Sequence, residues 1–263
     1  KTTVVKIETE NGAKTMGRPQ GIYITMEAPN LSVPDEDYHR EISKELARHM
    51  KKLLPEKGEL KALVVGLGNR EITPDALGPD VISNLHITRH LIEEYGTLGM
   101  GETCAHSVSG LVPGVMAQTG METMEIIRGV VEETKPDVVI AIDALAARSV
   151  KRLNRTIQLT DTGIQPGSGV GNHRNGLTET TLGVKVIGIG VPTVVDAATI
   201  VQDAMSHLLD ALEEQEKKEF LEEMITPSLH SMFMTPKDVD ETIKRLSYTI
   251  SEGLNLTFAK AEA

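Results

Sequence analysis

Three short apolar runs in the middle of the chain set the architecture. They are Ala62-Leu63-Val64-Val65-Gly66-Leu67-Gly68, Val138-Val139-Ile140-Ala141-Ile142 and Lys185-Val186-Ile187-Gly188-Ile189-Gly190. Near-continuous Val/Ile-rich runs of this length are what strands buried on both faces look like. Stretches of helical periodicity separate and follow them, over 77–95, over 119–134 with a stop at Pro136, and over 192–212. Strand–helix repetition at this spacing predicts an α/β fold: a mostly parallel sheet, helices on both faces and right-handed crossovers.

The flanks read differently. Residues 1–60 are expected to form a β/helix extension. Residues 2–9 and 21–27 alternate apolar and polar positions, and Asn11-Gly12 between them signals a turn, so a hairpin with a long loop is expected. Residues 35–54 read as an amphipathic helix that ends before Pro55. Residues 61–205 form the expected core, and 206–263 a helical tail within one domain spanning 1–263. In that tail 208–224 is highly charged, and 236–255 is a helix with Thr235 as cap and Pro236 in its first turn.

Composition narrows the function classes. Aromatic residues make up only 3% of the 263 positions and hydrophobic residues 40%, so the core is built from aliphatic side chains. A formal net charge of −11 lacks the basic footprint of a nucleic-acid binder. The single cysteine, Cys104, excludes an internal disulfide framework and a multi-cysteine metal site and suits a reducing compartment. No apolar run approaches the roughly 18–20 residues of a membrane span, and no secretory signal is visible. The chain is expected to be cytoplasmic and to have no membrane partner.

Candidate chemistry follows from the strands. In open α/β sheets ligands bind outside the carboxyl ends of the strands, so the polar residues after each run matter most. Asp75 follows the first run, Asp143 follows the second directly, and Asp196 follows the third. Taken alone, Asp75 reads equally as a cap for the next helix, and Asp143 as a cap or a loop salt bridge with Arg148. Taken together, both sit at one edge of one sheet. Two close carboxylates share a proton, so one serves as base toward water and the other as acid toward the scissile group. The same pair could instead hold a divalent metal that activates the water.

Other motifs carry less. The glycine-rich run 161–172, followed by His173, could supply N–H groups to an oxyanion or form a plain surface loop. Gly66-Leu67-Gly68 opens like a dinucleotide fingerprint, but position 71 is Glu where the third glycine belongs. Cys104 and His106 lack the context of a cysteine nucleophile, and Ser168 lacks that of a nucleophile elbow.

Several longer stretches carry a resemblance. They include Val64-Val65-Gly66-Leu67-Gly68-Asn69, Thr73-Pro74-Asp75-Ala76-Leu77-Gly78-Pro79, Ala141-Ile142-Asp143-Ala144-Leu145-Ala146-Ala147-Arg148-Ser149 and Gly190-Val191-Pro192-Thr193-Val194-Val195-Asp196-Ala197. In these motifs the chain resembles the germination proteases of spore-forming bacteria, densely over about 60–205 and more thinly to the C-terminal helix. The resemblance implies an atypical aspartic endopeptidase that degrades small acid-soluble, DNA-protecting spore proteins in the spore core during germination. It implies a zymogen that removes its own N-terminal segment, a homotetramer, and catalytic roles for Asp75 and Asp143, with no cofactor. The pro-segment is expected to precede Lys1. The stretch 214–226 is shorter than the insert expected there.

The family's fold is also similar to that of hydrogenase-maturation endopeptidases. There Asp75 and Asp143 would match two acidic nickel ligands and His173 would be a loose third. A nickel-dependent peptidase of that type is the alternative enzyme, and a non-catalytic peptide-binding protein of the same fold is the alternative outside enzymes.

Overall fold

The first apolar run becomes a strand whose alternate side chains enter two separate cores. Ala62 and Val64 face one core, and Leu63 and Val65 face the other. The computed structural model describes residues 1–99, 106–165, 175–209 and 226–259. In chain order its elements begin with β1 (Thr2–Ile7), α1 (Glu10–Met16), β2 (Gly21–Glu27), α2 (Glu36–Leu53), β3 (Lys61–Gly66) and α3 (Leu77–Ser83). They continue with α4 (Arg89–Gly99), β4 (Ser107–Leu111), α5 (Met116–Thr119), α6 (Thr123–Thr134), β5 (Val138–Ala147), β6 (Thr156–Thr160) and α7 (Glu179–Leu182). The last are β7 (Lys185–Asp196), α8 (Ala197–Leu209), α9 (Pro227–His230), β8 (Phe233–Met234) and α10 (Val239–Phe258).

The fold is α/β. Among the described residues one eight-stranded sheet runs in the order β1-β2-β6-β7-β5-β3-β4, with β8 added to β7. The strands β7, β5, β3 and β4 run parallel to one another. The pairs β6/β7, β2/β6 and β1/β2 are antiparallel, so the N-terminal strands extend the same sheet. Helices α2, α3 and α10 cover one face through Leu46, Met50, Leu77, Leu246 and Ile250. Helix α6 covers the other through Met124, Ile127 and Val131.

Local chemistry moved several expected boundaries. The segment around Asn11-Gly12 is helix α1 rather than a turn, because Thr9 caps it by accepting the Gly12 N–H at 3.0 Å and Gly17 closes it at φ 60°. Helix α2 matches expectation, with Asp35 accepting the Tyr38 N–H at 3.0 Å. The expected helix 77–95 is two helices, broken after Asn84; past the break Thr88 donates to the His106 carbonyl and accepts the Val108 N–H. The expected helix 119–134 begins at Thr123, because Gly120 at φ 71° ends α5 first.

Both long parallel strands overrun their apolar runs. β5 continues through Asp143 to Ala147, and β7 continues through Pro192 to Asp196. Pro192 is tolerated because β6 pairs with β7 only as far as Gly190 and the β5 register shifts beside it. The C-terminal helix starts at Val239, three residues later than Pro236, because β8 and Thr235 are engaged with β7. Most of the expected charged helix 208–224 lies outside the described residues.

The amino ends of β3 and β5 are clamped by Asp137. Its carboxylate binds Lys57 Nζ at 2.7 and 2.8 Å and accepts the Lys61 N–H at 2.8 Å. Partial burial opposes the charge, but Lys57 and the Lys61 N–H outweigh it and hold the carboxyl below its ordinary value of 3.8. A lowered folded pKa gives stability that is complete above the unfolded value and is lost as pH falls through the folded one. In Tm measured against pH, Asp137→Asn is therefore expected to lie below wild type at neutral pH, to begin to approach it as pH falls past the ordinary value of 3.8, and to meet it only below the lowered folded value.

Candidate active site

The strand order puts a topological switch point between β3 and β5. The chain leaves β3 through α3 and α4 to reach β4 on one side, then returns through α5 and α6 to β5 on the other. Where connections part in this way, the carboxyl ends of the two strands open a binding crevice. Asp75 lies in the loop after β3, and Asp143 lies on β5.

Asp143 sits one residue beyond the last β3 pair. Gly66 faces Ile142 in register, the Leu67 N–H donates to the Ile142 carbonyl at 2.8 Å, and Asp143 itself pairs with Gly190 of β7. Alternation along β5 puts Asp143 on the same side as Val139 and Ala141, the α6 side. It is only 6% exposed, which makes its charge sensitive to everything nearby. A mid-strand residue caps no helix, so the capping alternative is excluded for Asp143.

Asp75 ends a tight 3₁₀ turn, Thr73–Asp75. Its Oδ2 accepts the Asn69 N–H at 2.7 Å. Helix α3 begins after Ala76 with no side-chain cap, so Asp75 is not its cap either. The turn stands over β3 because glycines admit close approach. A Cβ on Gly68, at φ 112°, would lie 2.0 Å from the Asp75 carbonyl oxygen, so position 68 admits only glycine. The glycine pair once comparable to a nucleotide fingerprint thus serves packing of the turn and of α3.

Neighbouring loops converge on this turn. Asn69 Oδ1 accepts from Gln118 Nε2 at 3.0 Å, which pins α5 against it. Pro74 accepts at its carbonyl from Thr193 Oγ1 at 2.7 Å. The base of the glycine-rich loop is closed by paired bonds between Ile164 and Leu177 at 2.9 and 2.8 Å. It packs over Gly188 of β7, with Leu177 in the core on the Asp143 side. Residues 166–172 of that loop, His173 and Cys104 lie outside the described residues.

The third post-strand aspartate has a plain role. Asp196 Oδ1 accepts the Thr199 N–H at 2.9 Å and Oδ2 accepts the Thr199 hydroxyl at 2.7 Å, so it caps α8. Asn69, Gln118 and Thr193 hold the site without bearing charge; Asn69 and Thr193 stand among the post-strand polar residues of the sequence, but only the structure gives them a role, and Gln118 was missed. Among the described residues no group of three or more His, Cys, Asp or Glu side chains is placed to hold a metal ion. Among them, too, no helix is long and apolar enough to cross a membrane.

Fold and candidate site together define an α/β protein with Asp75 and Asp143 at the carboxyl ends of two adjacent parallel strands. The family follows from comparison. The chain belongs to the germination protease family, whose model matches residues 1–212; by family it is a peptidase. It is 48% identical to a germination protease of Caldanaerobacter subterraneus over 97% of this chain and 84% of that one. It is 45% identical to that of Clostridium tetani (99% and 85%) and 38% identical to that of Bacillus cytotoxicus (96% and 83%). Among solved structures it aligns with a NiFe hydrogenase maturation protease from Thermococcus kodakarensis at TM-score 0.38 and 16% identity, over 78% of this chain and 98% of that one. So distant a likeness adds nothing to the topology described above.

Proposed function

We propose that this chain is the endopeptidase that begins degradation of small acid-soluble, DNA-protecting spore proteins at germination, using Asp75 and Asp143. In this reading it acts in the spore core as a homotetramer, after a zymogen removes its own N-terminal segment. Family membership supports the peptidase activity and the setting. The observation that carries the site is the buried carboxylate of Asp143, one residue past the β3–β5 pairing on the strand that the Asp75 turn contacts.

The chemistry needs one proton on the pair. The ionised carboxylate takes a proton from water as the water oxygen attacks the peptide carbonyl carbon. The protonated partner gives its proton to the carbonyl oxygen, leaving a neutral tetrahedral intermediate. Collapse breaks the C–N bond: one aspartate protonates the leaving nitrogen while the other takes a hydroxyl proton from the intermediate, which leaves a carboxylic acid, a free amine and a pair that again holds one proton.

The test is incubation of the purified protein with a small acid-soluble spore protein, with and without a chelator, and mass spectrometry of the products. Internal cleavage at defined bonds, unchanged by chelator, is expected. An intact substrate would contradict the proposal. Activity lost to chelator and restored by nickel would favour the maturation-peptidase alternative.

A further inference from the structure

The register of β5 against β7 contains one irregularity. Leu145 pairs with Pro192 and Ala146 pairs with Val194, so Thr193 is the extra residue of a bulge. A bulge leaves its extra residue out of the ladder and re-aims its side chain. Thr193 is 1% exposed, and both its carbonyl and its hydroxyl are bonded. Its carbonyl accepts from Thr235 Oγ1 at 2.9 Å, and its hydroxyl donates to the Pro74 carbonyl at 2.7 Å, across 119 positions of sequence.

The second bond reaches the turn that carries Asp75. Inside that turn two main-chain bonds close the loop, Asp75 N–H to Ile72 O at 2.8 Å and Ala76 N–H to Thr73 O at 3.1 Å. Pro74 has no N–H, so its carbonyl is the only main-chain hydrogen-bonding group it offers. The turn also packs against α10, β5 and β7, and the Pro74 carbonyl is where β7 bonds it directly.

We propose that Thr193 is a positioning residue: by bonding the Pro74 carbonyl from a bulge in β7, it fixes the Asp75 carboxylate over the crevice, with Thr235 bracing the bulge from behind. This rests on Asp75 being half of the catalytic pair. The bulge thereby couples the position of Asp75 to β7 and to the segment leading into α10.

The test compares Thr193→Val, which keeps the shape and removes the donor, with Thr193→Ser, which keeps the donor. Cleavage of a small acid-soluble spore protein is followed under saturating and limiting substrate. Thr193→Val is expected to lower kcat by about tenfold or more, as misplacement of a reacting group does, with KM changed by less than about twofold. Thr193→Ser is expected to restore most of kcat. In an Asp75→Asn background Thr193→Val is expected to have no further effect, because the two act through one group.

Wild-type kcat in Thr193→Val, equal loss in Thr193→Ser, or an additive loss in the Asp75→Asn background would each overturn the proposal. Should Thr193→Val fail to fold, Thr235→Val, which loosens the bulge from outside, is expected to lower kcat in the same direction, and wild-type kcat there would overturn it. Full activity of Asp75→Asn by itself would remove the catalytic reading on which this proposal rests. An inactive Asp75→Asn beside a fully active Thr193→Val would defeat the tether alone.

Discussion

Asp143→Asn is expected to lower kcat for spore-protein cleavage by about 10²–10⁴-fold, the usual worth of a general acid or base, while KM changes little. Asn fills the same volume, so the β5–β7 ladder and the packing beside Val139 and Ala141 persist. What is lost is the proton and the charge. A group that acts only in the transition state lowers kcat and kcat/KM together, which separates this outcome from damage to substrate binding. Tm measured beside kcat separates the loss of a reacting group from damage to the fold.

Gly78→Ala is expected to destabilise the protein by about 3 kcal/mol and to cut activity with it. A Cβ on Gly78 would lie 2.4 Å from the Leu67 carbonyl oxygen and 2.6 Å from the Leu67 nitrogen. All of its close neighbours are backbone, so no side chain can swing aside. Helix α3 would have to lift from β3, carrying the Asp75 turn with it. Gly129 in α6 provides the contrast, since a Cβ there meets nothing within 4 Å. Gly129→Ala should raise stability by about 0.5–1 kcal/mol, the cost of glycine inside a helix. Thermal or denaturant unfolding of the two variants would show opposite signs.

The sheet was legible because its runs at 62–68, 138–142 and 186–190 are apolar without interruption, and runs so short and Val/Ile-rich fit strands buried on two faces. Their far ends were not. Hydrophobic patterning reports side-chain burial, whereas strand length is set by backbone pairing. Asp143 interrupts the pattern but leaves the ladder intact, because Val191, Val194 and Val195 of β7 offer partners beyond it. Pro192 read as the start of a helix because its missing β6 neighbour and the adjacent bulge are tertiary facts.

The same distinction holds at the site. The two aspartates stood out by following apolar runs. Their alternative role as caps could be excluded only once Asp75 was seen to accept from Asn69 and Asp143 to lie within β5. Thr193 carries no charge and binds a residue 119 positions away, so no local pattern could have announced it. At the N-terminus, Asn11-Gly12 was misread because Thr9 and Gly17 supply a helix with both of its caps.

The central claim is that Asp75 and Asp143 work as one acid–base unit. Its most direct test is the single-turnover rate of spore-protein cleavage by Asp75→Asn, Asp143→Asn and the double variant. Residues that act as a unit are strongly non-additive. Each single variant is therefore predicted to lose most of the activity, and the double variant to be no slower than the slower single one. Losses that multiply in the double variant, or wild-type cleavage by either single variant, would contradict the claim.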